Sequence, residues 1–229
     1  MLLAFDTATT TASVALYALD QELLLAEMTW QARRRHTQEL LPTAQALLRQ
    51  MDVAPAQITA LAVTTGPGSF TGVRIAISVV KGMALGLPQP PQVVGLPTLS
   101  VTAWPWLAPA HGCGAAVWAV IQAGRGRYNC AAWPHAETPL LPGATDHQAG
   151  TAADLAATLA AHPEQPIWLV GEVGADLASS CADARHVTVV DQVAGARRSS
   201  VLARLAAQAL GRGETIDPVL LQPLYLQAV

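Results

Sequence analysis

Residues 61–87 limit the possible folds more than any other stretch of this chain. Leu61–Thr65 is a short apolar run that predicts a strand. Gly66-Pro67-Gly68-Ser69-Phe70-Thr71-Gly72 then turns into Val73–Leu85, a predicted helix in which only Arg74, Ser78 and Lys81 are polar. A helix that is apolar nearly all round has to be covered nearly all round. Small residues at a spacing of four, in Gly72/Ala76 and in Ser78/Gly82/Gly86, allow another backbone to come close. One cover is expected to be the sheet of its own domain and the other a partner.

The flanking sequence supplies such a sheet. Leu2–Phe5 reads as a strand followed by the hydroxyl-rich turn Asp6–Thr11, and Ala12–Leu19 and Glu22–Trp30 read as a hairpin around Asp20-Gln21. Between His36 and Met51, Leu40, Leu41, Ala44, Leu47, Leu48 and Met51 form one stripe at the helical period. Pro42 inside that stripe predicts a kink or a helix start. Gln92–Gly95 is another strand, and the proline-bearing stretch 96–109 predicts a helix and a hinge. The pattern then restarts with strands at Ala116–Gln122, Arg127–Trp133, Ile167–Val170 and Val187–Val190. Helices are predicted at Ala152–Ala161 and Ser200–Leu210, and an extended tail from Asp217. These two βα-rich halves predict an α/β protein of two lobes. The expected domains are 1–108 and 109–229, with the last helix and tail packing back on the first lobe.

Composition narrows the function. The chain has 229 residues, 52% of them hydrophobic, 13% charged, and a formal net charge of −3. That excludes disorder and gives no basic surplus for unaided nucleic-acid binding, which depends on displacing phosphate counterions. The run Arg33-Arg34-Arg35 reads as a solvated loop, and Arg197-Arg198 is a second basic pair. Cys113, Cys130 and Cys181 are far apart, which argues against a disulfide framework and for a reducing compartment. No basic leader precedes Asp6, and Lys81 interrupts the most apolar run, so a soluble cytoplasmic protein without membrane contact is expected.

Several chemistries fail on spacing. Gly72 is followed by Val73-Arg74 and not by Lys-Ser/Thr, so the glycine turn is no Walker loop. Pro67 and Thr71 stand where a nucleophile elbow needs glycines. No two of the six histidines sit four apart, which removes the helical zinc pair of a metallopeptidase and predicts no metal site. His36 reads as a cap or interface residue. Asp6, Thr7 and Thr9 directly after the first strand could hold magnesium and phosphate. The nearest second turn, Gly171–Asp176, matches weakly, so a vestigial nucleotide site is expected.

Three motifs carry a resemblance: the strand-Asp6-Thr7-Ala8-Thr9 start, His36-Thr37-Gln38-Glu39-Leu40-Leu41-Pro42, and above all Thr65–Ile75 with its Gly66–Gly72 turn and Arg74. Together with Pro223-Leu224-Tyr225-Leu226 they resemble the TsaB (YeaZ) family, most densely over residues 1–100. The resemblance implies a two-lobed actin-like ATPase (ASKHA, ribonuclease H-like) fold of mixed sheets flanked by helices. It implies a non-catalytic dimerisation and activation subunit, not a peptidase, for the bacterial complex that adds threonylcarbamoyl to N6 of adenosine 37 in tRNAs reading A-starting codons. The implied partners are a catalytic TsaD and a TsaE ATPase, with a homodimer when the chain is alone and tRNA met only through the complex. No cofactor of its own is implied, and ATP or ADP at the junction with TsaD is left open.

The expected interface is His36, Leu40, Leu41, Ala44, Leu47, Gly72, Val73, Ala76, Val79, Val80 and Met83. Two departures stand out: Gln122 replaces an acid common in the family, and Gln227 replaces a common arginine. The alternative reading is a small ATP-binding kinase or ATPase of the actin-like superfamily.

Overall fold

The structure, a computed structural model, describes residues 1–33, 35–124, 126–135 and 146–224. Arg34, Arg125 and the tail positions Tyr225, Leu226 and Gln227 therefore lie outside the described residues. The described residues divide into unit 1, Met1–Thr98 with Arg198–Leu224, and unit 2, within Leu99–Arg197. The division falls at 98/99, ten residues before the expected boundary, because the helix beginning at Thr98 packs with the second unit.

Unit 1 is built on a five-stranded sheet in the order β3-β2-β1-β4-β5, with β1 Leu2–Asp6, β2 Thr11–Ala18, β3 Leu23–Gln31, β4 Ala60–Gly66 and β5 Gln92–Pro97. The first three strands pair antiparallel, whereas β4 runs parallel to β1 and β5 parallel to β4. The two-residue period of a strand divides the side chains between the two faces. Leu3, Phe5, Val14, Leu16, Leu61, Val63 and Val93 point to one face, where they pack with α1 (His36–Gln50) and α2 (Phe70–Gly86). On the other face Ala4 stands in register with Ala15 on one side and Ala62 on the other. That patch of small side chains lets α6 (Ser199–Gly211) lie close, burying Leu202, Ala203, Leu205, Ala206 and Ala209. Each leucine so buried contributes roughly 1.5–3 kcal/mol.

The start of α6 is tied to the sheet by polar contacts. Ser200 donates from its N–H and hydroxyl to the Glu27 carboxylate at 3.0 and 2.9 Å, and Ser13 Oγ lies 2.7 Å from Ser199 Oγ. The final segment runs beside β5. Ile216 N–H donates to Val93 C=O, Leu221 is buried in the unit 1 core, and Leu224 N–H donates to Thr65 C=O.

Unit 2 repeats the plan. Its strands are β6 Ala116–Gly124, β7 Arg127–Trp133, β8 Gln148–Thr151, β9 Ile167–Gly171 and β10 Val187–Val189, in the order β8-β7-β6-β9-β10. Again the first three pair antiparallel and the last two parallel. Trp118, Val120, Tyr128, Cys130 and Leu169 face α4 (Ala152–Ala160) and α5 (Ala175–Ser180), while Val117, Ala119, Ile121, Ala131 and Trp133 face α3 (Thr98–Gly112). Both halves of the chain thus follow one order, three strands, helix, strand, helix, strand, helix. The third helix of each half belongs to the other unit: α3 to unit 2 and α6 to unit 1.

One alternative at Pro42 is corrected: α1 begins at His36, not at the proline, and continues through Pro42, as α3 continues through Pro105 and Pro109. Pro42 and Gln38, whose carbonyl loses its helical partner, are both exposed residues, so water can take that acceptor. In α3 the burial of Leu99, Ala103 and Ala110 holds the helix across its prolines. The short β8 and α5 were not foreseen.

Candidate functional site

The carboxyl ends of parallel strands are where open α/β sheets hold ligands. In unit 1 this end is formed by Asp6, the turn 7–10, the Gly66–Ser69 connector and the start of α2. Asp6 is buried, and its Oδ1 accepts from Ala8 N–H at 2.8 Å and from the Thr64 hydroxyl at 2.9 Å. Thr7 is buried and donates its hydroxyl to Gly72 C=O at 2.7 Å. The Thr9 carbonyl lies 2.9 Å from Nε2 of the buried His36. Asp6, Thr7 and Thr9 stand at this end, where Asp6 Oδ1, the Thr7 hydroxyl and the Thr9 carbonyl are engaged within the fold. Burying such groups unpaired would cost about 1–3 kcal/mol each.

The glycine motif closes over this turn. Ser69 N–H donates to Ala8 C=O at 2.6 Å, and a Cβ on Gly68 or Gly72 would collide with the carbonyls of Ala8 or Thr7. Gly66 has φ +110° and precedes a cis bond to Pro67. Ser69 caps α2, its hydroxyl accepting from Gly72 N–H at 3.2 Å. Glycine is needed at Gly68 and Gly72 for close approach, which is the tight-turn role expected from the sequence. Beyond the cap, Phe70, Thr71 and Arg74 are exposed, with the Arg74 guanidinium 3.9 Å over the Phe70 ring.

Most of the expected interface lies in the core. His36, Leu40, Ala44, Leu47, Gly72, Val73, Ala76 and Val80 are buried, and Val79 and Met83 are half-buried against the same cluster. The periodic stripe that marks an amphipathic helix is the stripe facing its own sheet. Of the eleven, only Leu41 is exposed, at 40%. The outward face of α2 instead carries Phe70, Arg74, Ser78, Gly82 and Leu85, the last 88% exposed. A Cβ on Gly82 or Gly86 would meet nothing within 4 Å. The four-residue spacing of Ser78, Gly82 and Gly86 was the sequence signal for this face.

Unit 2 has its own polar end. Gln122 N–H donates to Glu172 Oε2 at 3.2 Å, and the buried Tyr128 donates its hydroxyl to Asp176 Oδ1 at 2.5 Å. Burial and the Asp176 carboxylate push the Tyr128 hydroxyl up to about 12, while that bond holds Asp176 below its usual range. Burial likewise pushes the Cys130 thiol up to about 12. Nothing in the alternating strand around Tyr128 signalled this pair. Glycine-rich Gly171–Asp176, the weak match for a second phosphate turn, is not the counterpart of the Asp6–Thr10 turn. The topological counterpart of Asp6–Thr10 is the β6–β7 hairpin, whereas Gly171 corresponds to Gly66, each closing the fourth strand of its half. Among the described residues no three His, Cys, Asp or Glu side chains group as a metal site, and no helix is long and apolar enough to cross a membrane.

Two mixed sheets of one topology, each with helices on both faces, define a two-lobed α/β protein of the actin-like, ribonuclease H-like class. Comparison with known proteins refines that class. The family model described as "TsaD: tRNA N6-adenosine threonylcarbamoyltransferase" matches residues 30–167, more than half of the chain. The Escherichia coli "tRNA threonylcarbamoyladenosine biosynthesis protein TsaB" is 42% identical over 102 residues, 44% of this chain and 42% of that protein. The Bacillus subtilis protein of the same name is 35% identical over 89 residues, 39% of this chain and 38% of that protein. The matched stretch thus spans less than half the length of these relatives. A crystal structure of "an uncharacterized protein with similarity to peptidase YEAZ from Pseudomonas aeruginosa" superposes over 99% of both chains with TM-score 0.73 and 29% identity. "YeaZ from Pseudomonas aeruginosa" superposes over 98% of this chain and 99% of its own with TM-score 0.69 and 27% identity. The chain belongs to this threonylcarbamoyltransferase family, and within it to the TsaB (YeaZ) group.

Proposed function

We propose that this chain is a non-catalytic subunit that pairs with and activates a TsaD-type enzyme in making threonylcarbamoyladenosine at position 37 of tRNA, in the cytoplasm and alongside a TsaE-type ATPase. The observation that carries the reading is the closed turn at Asp6. The Asp6 carboxylate, the Thr7 hydroxyl and the Ala8 and Thr9 carbonyls all serve neighbouring parts of unit 1. A nucleotide phosphate would compete with those bonds, so the turn is suited to bracing α2 rather than to turnover.

The pairing surface in this reading is the outward face of α2, revised from the buried stripe. Its middle, Ser78 and Gly82, is small, which permits close helix approach, and Leu85 offers apolar area at one end. The same face would serve a homodimer when the partner is missing. Reconstitution tests the role. A purified TsaD-type enzyme should modify tRNA only when this chain is added, and modification unaffected by the chain would refute it.

The kinase or ATPase alternative predicts magnesium-dependent ATP turnover that Asp6→Asn abolishes. The internal use of Asp6, Thr7 and Thr9 favours the subunit reading, and turnover lost in that variant would reverse the order.

A further inference from the structure

The two edges of the unit 1 sheet are treated differently. Along β5 the final segment lies close, with Ile216 N–H donating to Val93 C=O. On the other side β3 is the last strand, and among the described residues no main-chain group bonds to its outer edge. An open row of N–H and C=O groups is a template for another strand, and edge strands are commonly guarded by lysine, proline or shortness. Here β3 is nine residues long and has neither lysine nor proline. Leu23, Leu24 and Met28 are 50, 40 and 49% exposed along it. Its one charge, Glu27, is held by Ser200 at the start of α6. A single bulge at Leu25 interrupts the ladder with β2 and leaves Ala26–Gln31 regular.

The two ends of β3 differ in charge. Exposed Asp20 and Glu22 precede the strand, and exposed Arg33 and Arg35 follow it. The loop that carries the arginines is held at the start of β2, where Ala32 N–H and Arg33 N–H donate to Thr10 C=O at 3.0 and 3.2 Å. Arg35 also engages Glu39 at 2.9 Å. Glu22 stands six residues before Met28 and Arg33 five after it, and one of those six is the extra residue of the bulge. Such a strand is complementary to itself turned end for end. In an antiparallel pair centred on Met28, the acidic start of each β3 lies toward the basic end of the other. Glu27 then faces Thr29 and not its own copy, and Met28 meets Met28 across the pair. Opposite charges across paired strands stabilise them, whereas parallel addition would set like charges together.

We propose that the β3 edge is a self-association surface, to which a second copy of this chain adds its own β3 antiparallel about Met28. Two five-stranded sheets then continue into one another across a two-fold axis. Main-chain bonds give the pairing its affinity, and the oppositely charged ends give it direction. Helix α2 packs over β1 and β4 in the middle of the sheet, so its outward face lies apart from this edge. A pair formed through β3 therefore leaves both α2 faces open to an enzyme partner. The inference stands on the strand and the charges at its ends, and it holds or fails apart from the tRNA-modification reading.

The test is size-exclusion chromatography with light scattering over a range of concentrations, on the full chain carrying Gly82→Arg to close any pairing through α2. That chain should still elute as a dimer. Met28→Lys in the same background changes a side chain half open to solvent, so the fold should survive, as a thermal melt checks. It sets two like charges face to face and should raise the dimer dissociation constant by about tenfold or more. Glu22→Arg alone and Arg33→Glu alone should each weaken the pair, and the two together should restore it, because the exchanged ends match again. Both positions are exposed and hold left-handed backbones, φ +48° and +52°, so the exchange leaves the backbone demand as it was. A Gly82→Arg chain that stays monomeric at every concentration would overturn the surface. So would a dimer indifferent to Met28→Lys, or a charge exchange that fails to restore pairing.

Discussion

The two halves of this chain use one topology to opposite ends. Each has a fourth strand that closes on a glycine of positive φ, +110° at Gly66 and +100° at Gly171, followed by a short connector to a helix cap at Ser69 or Gly174. From there they diverge. Helix α2 is 17 residues long and its connector closes over a buried Asp6 turn, whereas α5 has 6 residues and Gln122, Ala123 and Gly124 at the end of β6 are exposed. One end of the duplicated plan is sealed by its own chain and the other is open. What differs is the close approach allowed by Gly68 and Gly72, together with the long apolar helix they lead into. Topology alone fixes neither an active site nor its loss.

The contrast can be broken at several points, beginning with the largest effect. Ala76 is fully buried on the sheet-facing side of α2, so Ala76→Glu should destabilise unit 1 by about 3–5 kcal/mol and give an unfolded chain in urea melts. Gly82→Arg, on the open side of the same helix, should keep stability within about 1 kcal/mol of wild type. Next comes the exchange of helices. Leu202→Ala in α6 should cost about 2–5 kcal/mol and lower amide-exchange protection in β1 and β2, while Leu99→Ala in α3 should do the same to β6 and β7. Loss of protection in β9 and β10 from Leu202→Ala would contradict the assignment of α6 to the first unit.

Thr7→Val removes the donor to Gly72 C=O and should cost about 1–2 kcal/mol by thermal melting. The smallest effect is expected at the open end. The folded state holds the Tyr128 proton more tightly than the unfolded chain does, so its contribution is complete below pH 10 and fades as pH rises toward about 12. Urea midpoints should fall over that range in wild type and fall less in Tyr128→Phe.

Much of this plan was legible in the sequence. Alternation set the strand positions, with Arg127–Trp133 expected and found, and the stripe 36–51 marked a helix. What misled was the use made of that stripe. A hydrophobic period shows which side is covered but does not name the cover, and here Leu40, Ala44, Leu47, Ala76 and Val80 cover the sheet of unit 1. The second half was seen to restart the pattern, but its full match to the first was missed because β8 and α5 are too short to carry a period. The contacts that seal the Asp6 turn join residues 58 and 65 positions apart, beyond any local pattern. Only the glycines hinted at them, since a turn with this many of them suggests that something approaches closely.

The central claim is that the outward face of α2 makes this chain a partner rather than a catalyst. Size-exclusion chromatography with light scattering, on mixtures of a TsaD-type enzyme with wild type or with Gly82→Arg, tests it most directly. Wild type should elute as a complex of equal stoichiometry, and the equally stable Gly82→Arg chain should elute apart from the enzyme. A variant that still forms the complex would place the pairing surface elsewhere and contradict the account.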